Sequence, residues 1–133
     1  MNKTPRKKPV YREANLQAAC KKWFDYQYPQ YRKLFFKIKN DGYKTYKQGS
    51  RDKSEGIEPG VSDTLLAVTR QISYTKGDCR VIDVIPGMFV EFKIKPNKQT
   101  PEQKAFQEAV ERQGYRYELI YDFDTFKKII EEY

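Results

Sequence analysis

A chain of 133 residues with 26 Lys/Arg against 18 Asp/Glu, a net charge of +8, is the size of one domain with one core, too short for two. It contains no histidine, so Ser-His-Asp and Cys-His hydrolysis, His-metal nucleases and the usual zinc enzymes each lack an obligatory part. Carboxylates, lysine, tyrosine and an oxygen-bound hard cation remain as sources of chemistry.

No apolar run nears the roughly 20 residues of a bilayer span, and the first residues carry charge without an apolar stretch. The expectation is a soluble, cytoplasmic protein without membrane contact. The charge is uneven: residues 1–53 hold 15 Lys/Arg and 4 Asp/Glu, whereas 54–133 hold 11 and 14. An excess of +11 beside −3, with Tyr and Phe interleaved, suits a surface that binds a polyanion by releasing its counterions. A solvated basic face is the plainer alternative. Cys20 and Cys79 have no metal-type spacing and are expected to be reduced, buried small hydrophobes.

In chain order, residues 1–9 hold Lys3, Arg6, Lys7 and Lys8 with two prolines, which predicts a disordered basic arm ahead of a single domain over 10–133. From Arg12 to about Tyr26, Leu16, Ala19, Cys20 and Trp23 recur at the spacing of an amphipathic helix. Glu13 sits near the edge of that face. Leu34 to Lys39 sets Phe36 and Ile38 against Lys37 and Lys39, which predicts a half-exposed strand with Phe36 inward. Residues 40–62, polar and containing four glycines, read as a long loop. Thr64 to Val68 is a short apolar strand. Gln71 to Ile85, centred on Lys76-Gly77-Asp78, reads as a β-hairpin insertion.

Pro86-Gly87 then leads into a strand from Met88 to Lys95. Thr100-Pro101-Glu102-Gln103 is a helix start, with Thr as N-cap, Pro at the first position and Gln closing a capping box. That helix is expected to bury Ala105, Phe106, Ala109 and Val110 and to stop at Gly114. A strand from Tyr115 to Tyr121 and a helix from Phe123 to Tyr133, with Phe126, Ile129 and Ile130 inward, complete the chain. The order αβββαβα predicts an α/β fold, a mixed sheet with helices packed on it.

Alternation along Met88–Lys95 puts Val90, Phe92 and Ile94 on one face and Glu91, Lys93 and Lys95 on the other. Pairing this strand with the one that begins near Asp63 can bring Asp63 beside Glu91. Two carboxylates and an ammonium at one edge form a hard-cation site with a built-in base or water-positioner. On its own, a Glu and a Lys two apart on a strand can equally be a cross-strand ion pair.

The ordered set Gly60-Val61-Ser62-Asp63, a strand, Phe89-Val90-Glu91-Phe92-Lys93, Thr100-Pro101-Glu102-Gln103 and Gly114-Tyr115 resembles the virus-type replication-repair nuclease (VRR-NUC) family of the PD-(D/E)xK superfamily. The likeness runs from about Glu13 to Ile130 and implies a restriction-endonuclease-like core. It implies Asp63 and Glu91 as metal ligands, with the backbone carbonyl of Phe92 as a third oxygen, Lys93 as catalytic lysine and Gln103 as the glutamine that opens the next helix. Asn40 resembles a family asparagine before the basic loop, and Glu13 an acid on the first helix that serves a metal or its outer shell. Ser62 departs from the pattern, which has proline before the aspartate, and 27 residues separate Asp63 from Glu91, a span taken up by the hairpin.

Several of these residues have plainer explanations. The capping box accounts for Gln103, the helix dipole for Glu13 and turn chemistry for Asn40. Tyr26, Tyr28 and Tyr31 suit either the core or base stacking, and the core is the expectation. Lys37, Lys39, Lys44, Lys47, Arg51 and Lys53 precede Asp63, and Lys95 and Lys98 follow Lys93; together they are the candidates for phosphate contact. The expected function is a Mg2+-dependent DNA endonuclease, with Mn2+ able to substitute. The resemblance extends to small phage or mobile-element nucleases of repair and recombination, some of which resolve Holliday junctions as homodimers, so branched or flapped DNA is an expected substrate. The rival expectations are a non-catalytic nucleic-acid-binding module on the same fold, and a sequence-specific or RNA-cleaving nuclease.

Overall fold

The computed structural model of the protein describes residues 13–39 and 54–133. The elements are α1 (Glu13–Gln27), a 3-10 helix (Pro29–Leu34), β1 (Phe35–Lys37), β2 (Thr64–Leu66), β3 (Arg70–Lys76), β4 (Cys79–Ile85), β5 (Met88–Phe92), α2 (Pro101–Arg112), β6 (Arg116–Ile120) and α3 (Phe123–Glu132). The expected order and hairpin insertion are therefore present. The basic arm and the residues from Asn40 to Lys53 lie outside the described residues.

Four strands form one sheet in the order β1-β2-β5-β6. The β1–β2 and β2–β5 pairs are antiparallel, and β5–β6 is parallel. The parallel pair needs a crossover, which α2 supplies. The register sets the two faces. Phe35 pairs with Leu66, Leu66 with Met88 and Thr64 with Val90, so these side chains share one face. That face is the core: Phe35, Leu66, Met88, Val90, Phe92 and Ile120 are buried against Cys20 and Phe24 of α1 and Phe126 and Ile130 of α3. Phe24 and Phe35 have ring centroids 4.9 Å apart, and Phe35 and Phe126 5.7 Å. Such ring pairs add about 1 kcal/mol each beyond their buried area. Asp122 caps α3 by accepting from the Thr125 N–H at 2.8 Å.

The opposite face carries Leu65, Phe89 and Tyr117 in one cross-strand row. Here α2 packs through Phe106, whose ring stands edge-on to Phe89 at 5.1 Å. Thr100 caps α2 as expected, with both halves of the capping box formed, and the chain leaves the helix at Gly114 with φ +89.

Several expectations of packing are corrected. β1 is inverted: Phe35 is buried and Phe36 is 41% exposed, because a three-residue strand is phased by its partner Leu66 and not by its own alternation. Ala19 of α1 and Ala105 and Ala109 of α2 are exposed, and no residue of α2 is fully buried. A helix lying on one face of a narrow sheet presents only its Phe106–Val110 edge. Tyr26 is 83% and Tyr31 38% exposed, while Tyr28 packs on the core. Cys20 is buried, but Cys79 is exposed, because β3 and β4 form a separate two-stranded ribbon.

That ribbon leaves Ile72, Tyr74, Ile82 and Val84 between 41% and 55% exposed. It grows from the end of β2 and the start of β5 that point away from Asp63. Among the described residues, no helix is long and apolar enough to cross a membrane.

Candidate active site

Asp63 stands at the start of β2 and Glu91 on β5, both on the face covered by α2. The strands make them partners in two directions. The Asp63 N–H donates to Glu91 Oε2 at 3.0 Å, and the Phe92 N–H donates to Asp63 Oδ2 at 2.8 Å. Each carboxylate is thus fixed by backbone of the other strand.

Ser62, in place of the family's proline, is fully buried, and its hydroxyl donates to the Thr64 carbonyl at 3.0 Å. That bond closes the turn into β2 that a proline ring would otherwise stiffen. Thr64 adds a second lock by donating to the Val90 carbonyl at 3.0 Å.

Lys93, two residues beyond Glu91, is 7% exposed, with its Nζ 3.8 Å from Glu91 Oε1. The same Oε1 accepts from Gln103 Nε2 at 2.8 Å, while Gln103 Oε1 accepts from the Thr100 N–H at 2.9 Å. The two explanations of Gln103 therefore hold together: one end of its amide caps α2 and the other fixes the carboxylate. Gly60, with φ +86, lets this happen. A Cβ there would lie 2.4 Å from the backbone C and O of Glu102 and 2.9 Å from the Gln103 N, so only glycine allows the Asp63 loop to rest on the start of α2.

Burial, and then the Asp63 charge, push the Glu91 carboxyl up to about 8, against the opposing pull of the Lys93 ammonium; Glu13 adds a smaller upward push. Glu13 begins α1 and lines the same cleft, about 410 Å³ in volume, as Asp63, Glu91, Lys93 and Gln103. It is held there by Asn97 Nδ2, which donates to its Oε1 at 3.3 Å.

Among the described residues, no group of three or more acidic or cysteine side chains is close enough to hold a metal together; Asp63 and Glu91 are the pair that the strands bring into contact. The two strand carboxylates still fit a hard cation. They are mutually repelling oxygen donors, Glu91 buried and Asp63 half-buried, and magnesium characteristically takes one or two carboxylates and completes its shell with water and phosphate oxygens.

Phe92 turns its side chain into the core and its N–H to Asp63. Lys37 and Lys39 are exposed at the β1 edge, and Lys95 and Lys98 on the segment joining β5 to α2. Asn40, Lys44, Lys47, Arg51 and Lys53 lie outside the described residues. Asn97 as the anchor of Glu13 and Glu102 as part of the cleft wall escape a reading of the sequence. Nothing in the spacing signals Asn97, whereas Glu102 is visible only as a first-turn acid.

Comparison with known proteins bears on the fold and the family. No curated protein matches the chain. A solved structure described as a VRR_NUC domain protein superposes with a TM-score of 0.69 over 91% of this chain and 86% of its own, at 18% identity, a likeness of fold. The VRR-NUC domain family matches residues 6–122. The chain belongs to the VRR-NUC domain family and is an enzyme of the nuclease kind.

Proposed function

We propose that the protein is a magnesium-dependent DNA endonuclease that hydrolyses phosphodiester bonds, with manganese able to replace magnesium. The observation that carries this reading is Glu91. One oxygen accepts from the Asp63 backbone, the other from Gln103, and the buried Lys93 ammonium stands 3.8 Å away. A carboxylate held so firmly beside a second carboxylate is suited to gripping a cation in one position.

When bound, the cation supplies Lewis-acid activation of a water and offsets charge on the phosphate. Asp63 and Glu91 would hold it, with the Phe92 carbonyl offered as a third oxygen. Lys93, lining the same cleft, would orient the attacking water through its ammonium or, as the neutral amine, take its proton. Gln103 keeps the Glu91 carboxylate from rotating. The water adds to phosphorus in line with the leaving oxygen, and the chain is cut into two ends. Branched or flapped DNA is the proposed substrate class, and symmetric cutting of two strands requires a homodimer, because each chain has one centre.

The test is cleavage of labelled duplex, flap, four-way-junction and single-stranded DNA and of RNA, with Mg2+, Mn2+ or EDTA, by wild type and Asp63→Ala. Metal-dependent DNA cleavage abolished in the variant is the expected result. Cleavage that survives Asp63→Ala sinks the site, and binding without cleavage of any substrate favours a non-catalytic module.

A further inference from the structure

The β1 edge of the catalytic face carries an uncovered aromatic ring. Phe35 pairs with Leu66, and both are buried in the core, so Phe36 and its partner Leu65 point to the opposite face, which bears Asp63 and Glu91. The pairing continues beyond the strand, where the Ile38 N–H donates to the Asp63 carbonyl at 2.8 Å. Phe36 is therefore the diagonal neighbour of Asp63 on one surface, a separation of about 7–8 Å between such positions. Phe106 of α2 packs on Phe89 and Tyr117, and Phe36 is 41% exposed.

The surroundings point to a nucleic-acid ligand. Lys33, Lys37 and Lys39 are exposed neighbours of Phe36 along the chain, with Lys37, paired with Thr64, pointing to the other face of the sheet, and no acid occurs between Tyr31 and Lys39. Edge strands usually present lysine or proline outward as protection against unwanted pairing. Here the face that bears Asp63 also presents a partly exposed ring, in a stretch whose charged residues are all basic. Cations take phosphates, and an exposed aromatic takes the face of a base. In a duplex both base faces are covered by the stack. The ring can therefore be used only by a nucleotide that is unpaired or at an open end.

We infer that Phe36 is a stacking subsite for an unpaired nucleobase adjoining the scissile phosphate, and that it selects DNA opened at the point of cleavage. This rests on reading Asp63, Glu91 and Lys93 as the phosphodiester-cleaving centre. One stacked base corresponds to about 5- to 150-fold in affinity.

The test uses binding, so that it does not depend on turnover. Wild type, Phe36→Ala, Phe36→Leu and Phe36→Trp are titrated in Ca2+ against short single-stranded DNA and fully paired duplex, each carrying 2-aminopurine. Wild type and Phe36→Trp should quench the single-stranded probe. Phe36→Ala and Phe36→Leu should lose the quenching and at least fivefold in affinity, with duplex binding within twofold of wild type. Because Phe36→Leu keeps an apolar side chain, its loss separates stacking from packing, and equal melting temperatures exclude misfolding. Equal weakening on both probes, no change on either, or no binding of single strands by wild type overturns the inference. If binding behaves as stated but no substrate is cut in Mg2+ or Mn2+, the nuclease reading fails while the stacking subsite stands.

Discussion

Asp63 and Glu91 hold each other through backbone: the N–H of Asp63 reaches Glu91 Oε2, and the N–H following Glu91 reaches Asp63 Oδ2. The two carboxylates are thereby fixed at the distance set by β2–β5 pairing, and their repulsion is built into the fold.

Burial of Glu91, and after it that repulsion, have a pH signature. With the Glu91 carboxyl at about 8 in the fold, above its ordinary 4.5, the folded state binds more protons than the unfolded state between those values. Its contribution is fully present below about pH 4.5 and is lost as pH rises through 8, at a cost of roughly 3 kcal/mol by pH 7. Melting temperatures in EDTA should fall more steeply across this window for wild type than for Asp63→Asn, which removes the neighbouring charge. Parallel curves contradict the assignment. Added Mg2+ should raise the wild-type melting temperature more at pH 8 than at pH 6, where a proton competes for the site.

Gln103 offers a separation of roles. Glutamate also closes a capping box, so Gln103→Glu keeps the cap on α2 while setting a carboxylate against Glu91 in place of a donor. Cleavage should drop at least tenfold with the melting temperature nearly unchanged at low pH. Gln103→Ala should lose both, with about 1 kcal/mol of the stability. Equal activity of Gln103→Glu and wild type would leave this residue with a structural role alone.

Gly60→Ala should displace the Asp63 loop from α2, because backbone atoms of Glu102 occupy the space of the new methyl. A loss of about 1–3 kcal/mol in denaturant melts and a larger fractional loss of cleavage than of DNA affinity are expected. Wild-type stability would mean that the loop and helix are not in contact.

Thiol labelling checks the ribbon. Cys20 is fully buried, and burial, with a smaller push from Asp122, raises its thiol to about 12, whereas Cys79 is exposed beside the Gly77 turn. A maleimide at pH 7.5 should add one group per native chain, at Cys79 by peptide mapping, and two after denaturation. Two groups on the native chain would place α1 off the sheet.

What the sequence conveyed well was whatever has a short-range cause. Thr100-Pro101-Glu102-Gln103 starts a helix by its own hydrogen bonds, and Glu91 and Lys93 share a face because strands alternate. What it could not convey depends on partners distant in the chain. Phe36 looks inward by alternation until Leu66 dictates the phase. Gln103 looks like a cap until Glu91, twelve residues away, is seen on its amide. Cys79 looks like a core residue until the ribbon is found to stand apart from the core.

The helix that carries Gln103 buries none of its residues completely, yet it closes the cleft. Local opening free energy follows buried contact, so α2 should exchange its amide hydrogens ahead of β5, and each opening would release Gln103 from Glu91. The centre would then switch between assembled and slack states without any change in the sheet, and a ligand that touches both the strand carboxylates and α2 would favour the assembled one.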